Sequence, residues 1–176
     1  MEDLSLHILD IVENSIRAGA KRVKIKIDEN LKKDVLKIEM NDDGFGMDEE
    51  TVKKATDPFF TTKKARKVGL GLSLLAQAAN ECDGKFEIKS KKGIGTKITA
   101  SFKHSHIDRK PIGDMKQTIM TLIAGNPEID FFYQHKKENL TYSLDTNKIK
   151  ADLDEIPINN VEVLKLIQKD LMEDLK

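Results

Sequence analysis

Apolar positions between residues 4 and 103 recur with two spacings, one typical of helices and one typical of strands. Over about residues 4–18 they follow helical spacing, and Gly19 stands where a left-handed C-terminal cap is expected. From 23 to 40 they alternate in two stretches joined by a polar turn, which predicts a hairpin. A second apolar helix over about 70–81 and two more strands within 86–102 repeat this order. The pattern predicts a sheet with helices on one face.

The segment between the first hairpin and the second helix is polar. A short polar helix is expected over about residues 48–55. Residues 56–69 lack periodicity, contain Pro58 and carry several cations close together, which predicts a mobile loop. The cations are Lys63, Lys64, Arg66 and Lys67.

The chain changes character after Lys103, and we place a domain boundary there. Residues 1–104 form the first predicted domain, and residues 105–176 form a small C-terminal α+β unit of unknown role. In that unit Pro111 is expected to open a helix, a hairpin follows over 129–144, and a last helix begins near Asn159. A unit of this size is marginal alone, so we expect it to pack against the first domain or against another subunit.

Charge and composition exclude several classes of partner. Thirty Lys and Arg side chains balance thirty Asp and Glu side chains, so no overall field favours nucleic acid or a membrane surface. No apolar run approaches the roughly 18 residues that a bilayer span needs, and the acidic N-terminus is unlike a signal peptide. The single cysteine, Cys82, is expected to be a buried helix thiol. These features predict a cytoplasmic protein.

The first helix carries three polar side chains on one face. Asp10, Asn14 and Arg17 stand at positions i, i+4 and i+7. An amide oxygen suits Mg²⁺, a carboxylate one turn away can orient a water or hydroxyl, and a cation can contact phosphates. Taken alone, the same residues also fit a solvated helix stripe.

The loop after the second strand combines an acid with two glycines. A carboxylate only accepts hydrogen bonds, so Asp42 would accept one from the amino group of adenine and reject the oxygen of guanine. Gly44 and Gly46 would let the backbone approach a flat base, and Met47 supplies an adaptable apolar wall. The alternative is an ordinary surface turn, because Asp-Gly is a common turn dipeptide.

Two further segments add candidate phosphate contacts. In residues 57–63, the adjacent rings of Phe59 and Phe60 suggest a lid, with Lys63 near phosphate oxygens. A charged loop with one buried ring is the alternative. The second segment runs directly into a helix, whose free N–H groups and dipole suit an anion. Its residues are Gly69, Leu70, Gly71, Leu72 and Ser73.

In this order the four segments resemble the ATP-binding domain shared by histidine kinases, type II topoisomerases, mismatch-repair ATPases and Bergerat-fold chaperones, often called the GHKL superfamily. The resemblance covers about residues 4–103. It implies an α+β fold, the Bergerat fold, which is an α/β sandwich of a mixed, mainly antiparallel sheet with helices on one face. It also implies that the ligands are ATP and Mg²⁺.

The resemblance assigns a role to each matching position. Asn14 looks like the Mg²⁺ ligand, Asp42 like the adenine-reading aspartate, and Thr96 like the threonine that supports the adenine edge. The other candidate ligand-binding residues are the first glycine box of Gly44 and Gly46, the lid aromatics Phe59 and Phe60, the second glycine box of Gly69 and Gly71, and their companions Arg17, Met47, Lys63, Leu70 and Leu72.

Two branches of the superfamily share features with this chain. Residues 11–20 are similar to the mismatch-repair ATPases, whose catalytic glutamate lies four residues before the metal-binding asparagine, a position occupied here by Asp10. A cation at Arg17 and the segments 57–63 and 68–74 are similar to the histidine kinases. We weigh the kinase branch higher, with Asp10 as the catalytic candidate.

Three functional hypotheses follow. In the first, a stand-alone histidine kinase-like protein phosphorylates a protein partner or uses ATP to switch its affinity for one. It is expected to lack its own phosphoacceptor histidine domain, which would precede the ATP-binding domain, because few residues precede the first helix and His7 lies on that helix in a structural role. The second is a mismatch-repair-like hydrolase that closes a homodimer. The third is a nucleotide-sensing module with negligible turnover. A partner would dock on residues 105–176 or on the lid, and His104 and His106 are interpreted as surface residues.

Overall fold

The structure is a computed structural model and describes residues 3–55 and 70–174. Helix α1 (Leu4–Arg17) begins at Asp3, whose carboxylate accepts the Leu6 N–H, and ends at Ala18, next to Gly19 at a φ of 83°. One side of α1 is buried in the core, as the spacing of its apolar residues predicts.

Six strands form one sheet in the order β3-β4-β2-β1-β5-β6. They are β1 (Arg22–Asn30), β2 (Val35–Asp42), β3 (Phe86–Lys91), β4 (Gly95–Lys103), β5 (Asp130–Lys137) and β6 (Leu140–Asp145). Every neighbouring pair is antiparallel except β1 and β5, which are parallel. The predicted mixed, mainly antiparallel sheet is therefore confirmed.

The helices pack side by side. They are α1, α2 (Glu49–Ala55), α3 (Leu70–Glu81), α4 (Met115–Gly125), α5 (Thr146–Leu153) and α6 (Val161–Leu171). Helix α1 contacts α3 and α4, and α4 contacts α6. The strands turn alternate side chains, such as Ile25, Ile38 and Phe102, into the core, where they are almost wholly buried. No helix within residues 3–55 and 70–174 is both long and apolar enough to cross a bilayer.

The C-terminal residues extend the same sheet. The predicted hairpin is β5 and β6, and the eight residue pairs between β1 and β5 run from Arg22 and Asp130 to Glu29 and Lys137. The division at residue 104 remains a prediction about domains, because strands from both sides of it share one sheet and one core.

Three details of the C-terminal unit differ from the sequence prediction. Helix α4 begins at Met115 rather than at Pro111, because the backbone oxygens of Pro111 and Ile112 accept N–H groups from the start of α1. The last helix is capped by Asn160 rather than Asn159. Helix α5 was not predicted, since it follows β6 without a break and carries few apolar residues.

Candidate functional site

A carboxylate at the end of β2 is held in a fixed orientation. The N–H of Gly44 donates to Asp42 Oδ1 at 2.9 Å, and the hydroxyl of Ser15 on α1 donates to Asp42 Oδ2 at 2.8 Å. Each carboxylate oxygen has a second lone-pair direction, so both can still accept from a ligand. The Asp42 carboxylate is therefore held between α1 and the loop after β2, with both oxygens able to accept hydrogen bonds from a ligand.

The glycine-containing loop is packed too closely for larger residues. Gly46 has a φ of 69°, and a Cβ atom there would lie 2.1 Å from the backbone oxygen of Lys91. A Cβ on Gly44 would lie 2.9 Å from the backbone oxygen of Ala18. The N–H of Phe45 donates to that same oxygen at 2.8 Å. The loop therefore joins the end of α1 to the β3–β4 turn.

Ser90 on β3 links the loop after β2 to β4 through hydrogen bonds. Its hydroxyl accepts the N–H of Met47 at 2.7 Å and lies 2.7 Å from the hydroxyl of Thr96. Thr96 is opposite Asp42 in the pairing of β2 with β4. The threonine hydroxyl and the aspartate carboxylate thus occupy neighbouring positions at one end of the sheet.

These groups enclose a cavity of about 60 Å³. It is lined by Ile11, Asn14, Ser15, Ala18, Asp42, Gly46, Met47, Leu72, Thr96 and Ile98. Apolar side chains form most of its surface, and a few polar groups converge on it, which is the usual composition of a small-molecule site. The volume is smaller than a purine base, so a purine would enter only with movement of lining side chains such as Met47, whose unbranched chain adapts readily.

Asp10 and Arg17 lie outside the cavity lining. The Asp10 carboxylate packs against the start of α3, since a Cβ on Gly71 would lie 2.1 Å from Asp10 Oδ2. Arg17 is exposed, and its Nη1 donates to Asn14 Oδ1 at 3.0 Å. The polar face of α1 therefore reaches the cavity through Asn14, and it reaches the N-terminus of α3 through Asp10.

Apart from Asp10 and Arg17, the predicted site residues divide into three groups. Six of them line the cavity: Asn14, Asp42, Gly46, Met47, Leu72 and Thr96. Gly44 and Gly71 lie beside it in the contacts given above, and Leu70 is the first residue of α3. Phe59, Phe60, Lys63 and Gly69 lie outside the described residues.

Two hydroxyl groups of the site were not predicted. Ser15 directly follows Asn14 and Ser90 continues the inward-facing positions of β3, so position alone gave a weak signal for each. What distinguishes them is a hydrogen-bond partner from another element, which sequence spacing does not reveal.

A second polar cluster lies elsewhere, at the other end of β1. Glu29 is buried, and its carboxylate hydrogen-bonds His104 Nε2 at 3.0 Å and His135 Nε2 at 2.7 Å. A second carboxylate, that of Asp174, lies 3.2 Å from His135 Nδ1 and accepts a hydrogen bond from the Tyr133 hydroxyl. His104 and His106, both interpreted as surface residues, are partly buried, with 18% and 19% of their side chains exposed. Burial alone would raise the pKa of Glu29, but hydrogen bonds with both histidines lower it. Burial would likewise lower the pKa of His135, but the two carboxylates raise it.

Within residues 3–55 and 70–174, no group of three or more His, Cys, Asp and Glu side chains is arranged to hold a metal ion. A metal at the cavity would therefore depend on the Asn14 amide oxygen together with ligand oxygens, a donor set that Mg²⁺ accepts.

The amino-acid sequence is similar to one family of ATPases and to sensor kinases. Residues 2–106 match the family described as "Histidine kinase-, DNA gyrase B-, and HSP90-like ATPase". The signal transduction histidine-protein kinase AtoS of Escherichia coli strain K12 is 38% identical over 93 residues, which cover 52% of this chain and 15% of that protein. The sensor protein DegM of Bacillus sp. strain B21-2 is 32% identical over 94 residues, covering 53% of this chain and 25% of that protein. The chain thus spans a quarter or less of these two relatives' lengths.

Solved structures give the same fold. The MutL ATPase domain of Aquifex aeolicus, complexed with ADP, superposes with a TM-score of 0.51 at 15% identity, over 96% of this chain and 88% of that one. At this identity the likeness concerns the fold alone.

Proposed function

The chain belongs to the family of histidine kinase-, DNA gyrase B- and HSP90-like ATPases, and from this premise we propose that it binds ATP with Mg²⁺ at the cavity between α1, β2 and α3. The observation that carries the proposal is the Asp42 carboxylate, which Ser15 and Gly44 orient toward an apolar cavity.

Adenine is the base that this arrangement favours. Its exocyclic amino group donates a hydrogen bond that Asp42 can accept, whereas guanine offers an oxygen at the same place and would repel the carboxylate. The Thr96 hydroxyl, next to Asp42 across the strands, can hydrogen-bond a ring nitrogen. Ile11, Met47 and Ile98 supply apolar contact for the faces of the base.

The phosphates would extend toward α1 and the N-terminus of α3. Asn14 would hold the Mg²⁺ through its amide oxygen, which in the structure accepts from Arg17 and retains a second lone pair. Bound Mg²⁺ supplies neutralisation of charge on phosphate oxygens. Asp10 lies against Gly71 at the start of α3, where it would orient an attacking hydroxyl or water.

Among the reactions open to this site, we favour phosphorylation of a protein partner or an ATP-dependent switch in affinity for one. The similarity to sensor kinases supports this choice. So does the position of the histidines: His7 is buried, and His104 and His135 both bond Glu29. These three rings are poorly placed to receive a phosphoryl group, which supports an acceptor other than His7, His104 and His135.

Hydrolysis of ATP coupled to closure of a homodimer is the second candidate. The position of Asp10, four residues before Asn14, favours it. A nucleotide sensor with negligible turnover remains the third.

Incubation with γ-labelled ATP and Mg²⁺ separates these reactions. The proposed kinase labels a protein in a cell lysate, the hydrolase releases labelled phosphate when pure, and the sensor does neither. Asp10→Asn should abolish either form of turnover while ATP still binds. Turnover that persists in Asp10→Asn would exclude the proposed role of Asp10.

A further inference from the structure

The far face of the sheet carries an open cavity of about 450 Å³ near the same end as the ATP site. We call it the basic groove and define it by five cationic side chains, Arg22, Lys24, Lys89, Lys91 and Lys97. These residues alternate along their strands with inward-facing ones such as Val23 and Ile98, so their side chains leave the sheet on the side away from the core.

Strand register places several of these cations in one line. Lys24 is opposite Asn41, Asn41 is opposite Lys97, and Lys97 is opposite Lys89. Like charges directly opposite each other on neighbouring strands reduce the stability of a sheet. At the next position Lys91 is opposite Gly95, which has no side chain and leaves the floor of the groove open.

Only part of this positive charge is neutralised. Lys97 pairs with Glu39 at 3.1 Å, and Lys89 lies 3.6 Å from Glu87. Arg22, Lys24 and Lys91 form no ion pair within residues 3–55 and 70–174.

Two acids line the groove, Asp42 and Asp43, and Glu39 lies on the same face of the sheet. Asp42 accepts hydrogen bonds from Ser15 and Gly44. Asp43 accepts the backbone N–H groups of Lys21 and Arg22 at 2.8 and 2.9 Å. Burial would raise the pKa of Glu39, but the hydrogen bond and charge of Lys97 lower it, helped by Lys37 and Lys26. This face therefore holds an excess of positive charge on a chain whose overall charge is zero.

We propose that the basic groove docks an acidic segment of a partner protein. Charge complementarity supplies the attraction, and the cations carried by β3, β4 and β1 match carboxylates carried along an extended chain. Single-stranded nucleic acids bind grooves in which aromatic side chains stack on bases, but among residues 3–55 and 70–174 the large apolar side chain that lines this groove is Ile94. A protein segment is thus the better match.

This inference rests on the proposed function only in assuming a protein partner. The groove and the ATP cavity share Asp42 and Thr96 in their linings. Docking needs no turnover, however, and the five cationic side chains leave the sheet on the opposite face from the ATP cavity. Binding of an acidic segment and binding of ATP can therefore be measured, and can fail, independently.

Fluorescence anisotropy with a labelled Glu-rich peptide of about eight residues, long enough to cross four strands about 4.8 Å apart, tests the proposal. The variant is Lys24→Glu/Lys91→Glu. Its matched control is Lys33→Glu/Lys116→Glu, which makes the same change in net charge at two exposed lysines outside the groove. An oligothymidylate of similar length is titrated in parallel, and ATP affinity is measured for each variant.

We expect the wild type to bind the peptide, the groove variant to weaken binding about tenfold or more, and the control to stay within about twofold. Affinity should fall steeply with salt. ATP affinity should be unchanged in both variants. Equal weakening in the two variants, no peptide binding by the wild type, or tighter groove-dependent binding of the oligothymidylate would each overturn the proposal.

Discussion

Ser15 is the residue on which the orientation of Asp42 depends. Its hydroxyl donates to the carboxylate from α1, while the second donor, Gly44, belongs to the same loop as Asp42. Removing one hydrogen bond of this kind costs about 1 kcal/mol, equivalent to roughly fivefold in a binding constant.

Replacing Ser15 by Ala should therefore weaken ATP binding about fivefold, with little loss of folding stability, because the site is only partly buried. Isothermal titration calorimetry gives the affinity. Ser143→Ala, at an exposed position on β6, is the matched control and should bind like the wild type. An unchanged affinity for Ser15→Ala would show that Asp42 needs no support from α1.

His7 makes folding sensitive to acid. Both of its ring nitrogens are buried without a hydrogen-bond partner among the described residues. Burial, reinforced by the charge of Lys110 and opposed by that of Asp3, lowers its pKa to about 4. A histidine whose pKa is lower in the folded state stays neutral there while the unfolded chain takes up a proton, so stability falls as pH decreases below about 6.5.

Urea unfolding at about pH 7 and about pH 5 measures this effect. Between about pH 7 and about pH 5, the free energy of unfolding of the wild type should fall by on the order of 2 kcal/mol more than that of His7→Leu, which has no titratable group at this position. An equal decrease in the free energy of unfolding for the two proteins would mean that the His7 ring can be protonated without unfolding.

The elements themselves were largely predictable from periodicity. Helices α1 and α3 and strands β1, β2 and β4 bury one regular face, and β3 partly buries alternate positions, so local spacing carries their signal. Helix α5 could not be predicted in this way, because its burial depends mainly on contact with β5. In the site, Asn14, Asp42 and Thr96 belong to sequence motifs, whereas Ser15 and Ser90 act through partners that only the packed elements bring near.

The loop between β2 and α2 is restricted by close contact as well as by backbone conformation. Gly46 and Gly93 both have positive φ, at 69° and 84°. A Cβ on Gly46 would overlap the Lys91 backbone, while a Cβ on Gly93 would meet no atom within 4 Å. A side chain at Gly93 would therefore cause only backbone strain, whereas a side chain at Gly46 would cause backbone strain and steric overlap.

Gly93→Ala should cost about 1 kcal/mol of stability, the ordinary cost of a left-handed backbone at a residue with a side chain. Gly46→Ala should cost clearly more, about 3 kcal/mol or above, because β3 must also move away from the loop. Thermal unfolding compares them. Equal losses would show that the loop shifts freely and that its contact with Lys91 is unimportant.

The whole molecule is held together across residue 104 by a sheet and by a polar cluster. Parallel pairing of β1 with β5 joins the two parts, and Glu29, His104, His135 and Asp174 meet beside it. The carboxylates favour the charged form of His135 and raise its pKa. Its contribution to stability is therefore full below the unfolded value of about 6.5 and is lost as pH rises through the higher folded pKa.

His135→Gln should consequently be destabilising by about 1 to 2 kcal/mol near pH 6 and by less near pH 9. Urea unfolding at both pH values measures the difference from the wild type. His106→Gln, whose ring lies outside this cluster, is the control. A deficit for His135→Gln that is the same at both pH values would mean that the ring contributes through packing rather than charge.

Recognition of adenine by Asp42 is the central claim, and calorimetric titration of Mg·ATP and Mg·GTP tests it most directly. The wild type should bind ATP and strongly disfavour GTP. Asp42→Asn should lose ATP affinity about tenfold or more, while Asp43→Asn, one residue further and on the opposite face, should retain it. Absence of ATP binding by the wild type, or an Asp42→Asn variant that binds ATP as tightly as the wild type, would contradict the account.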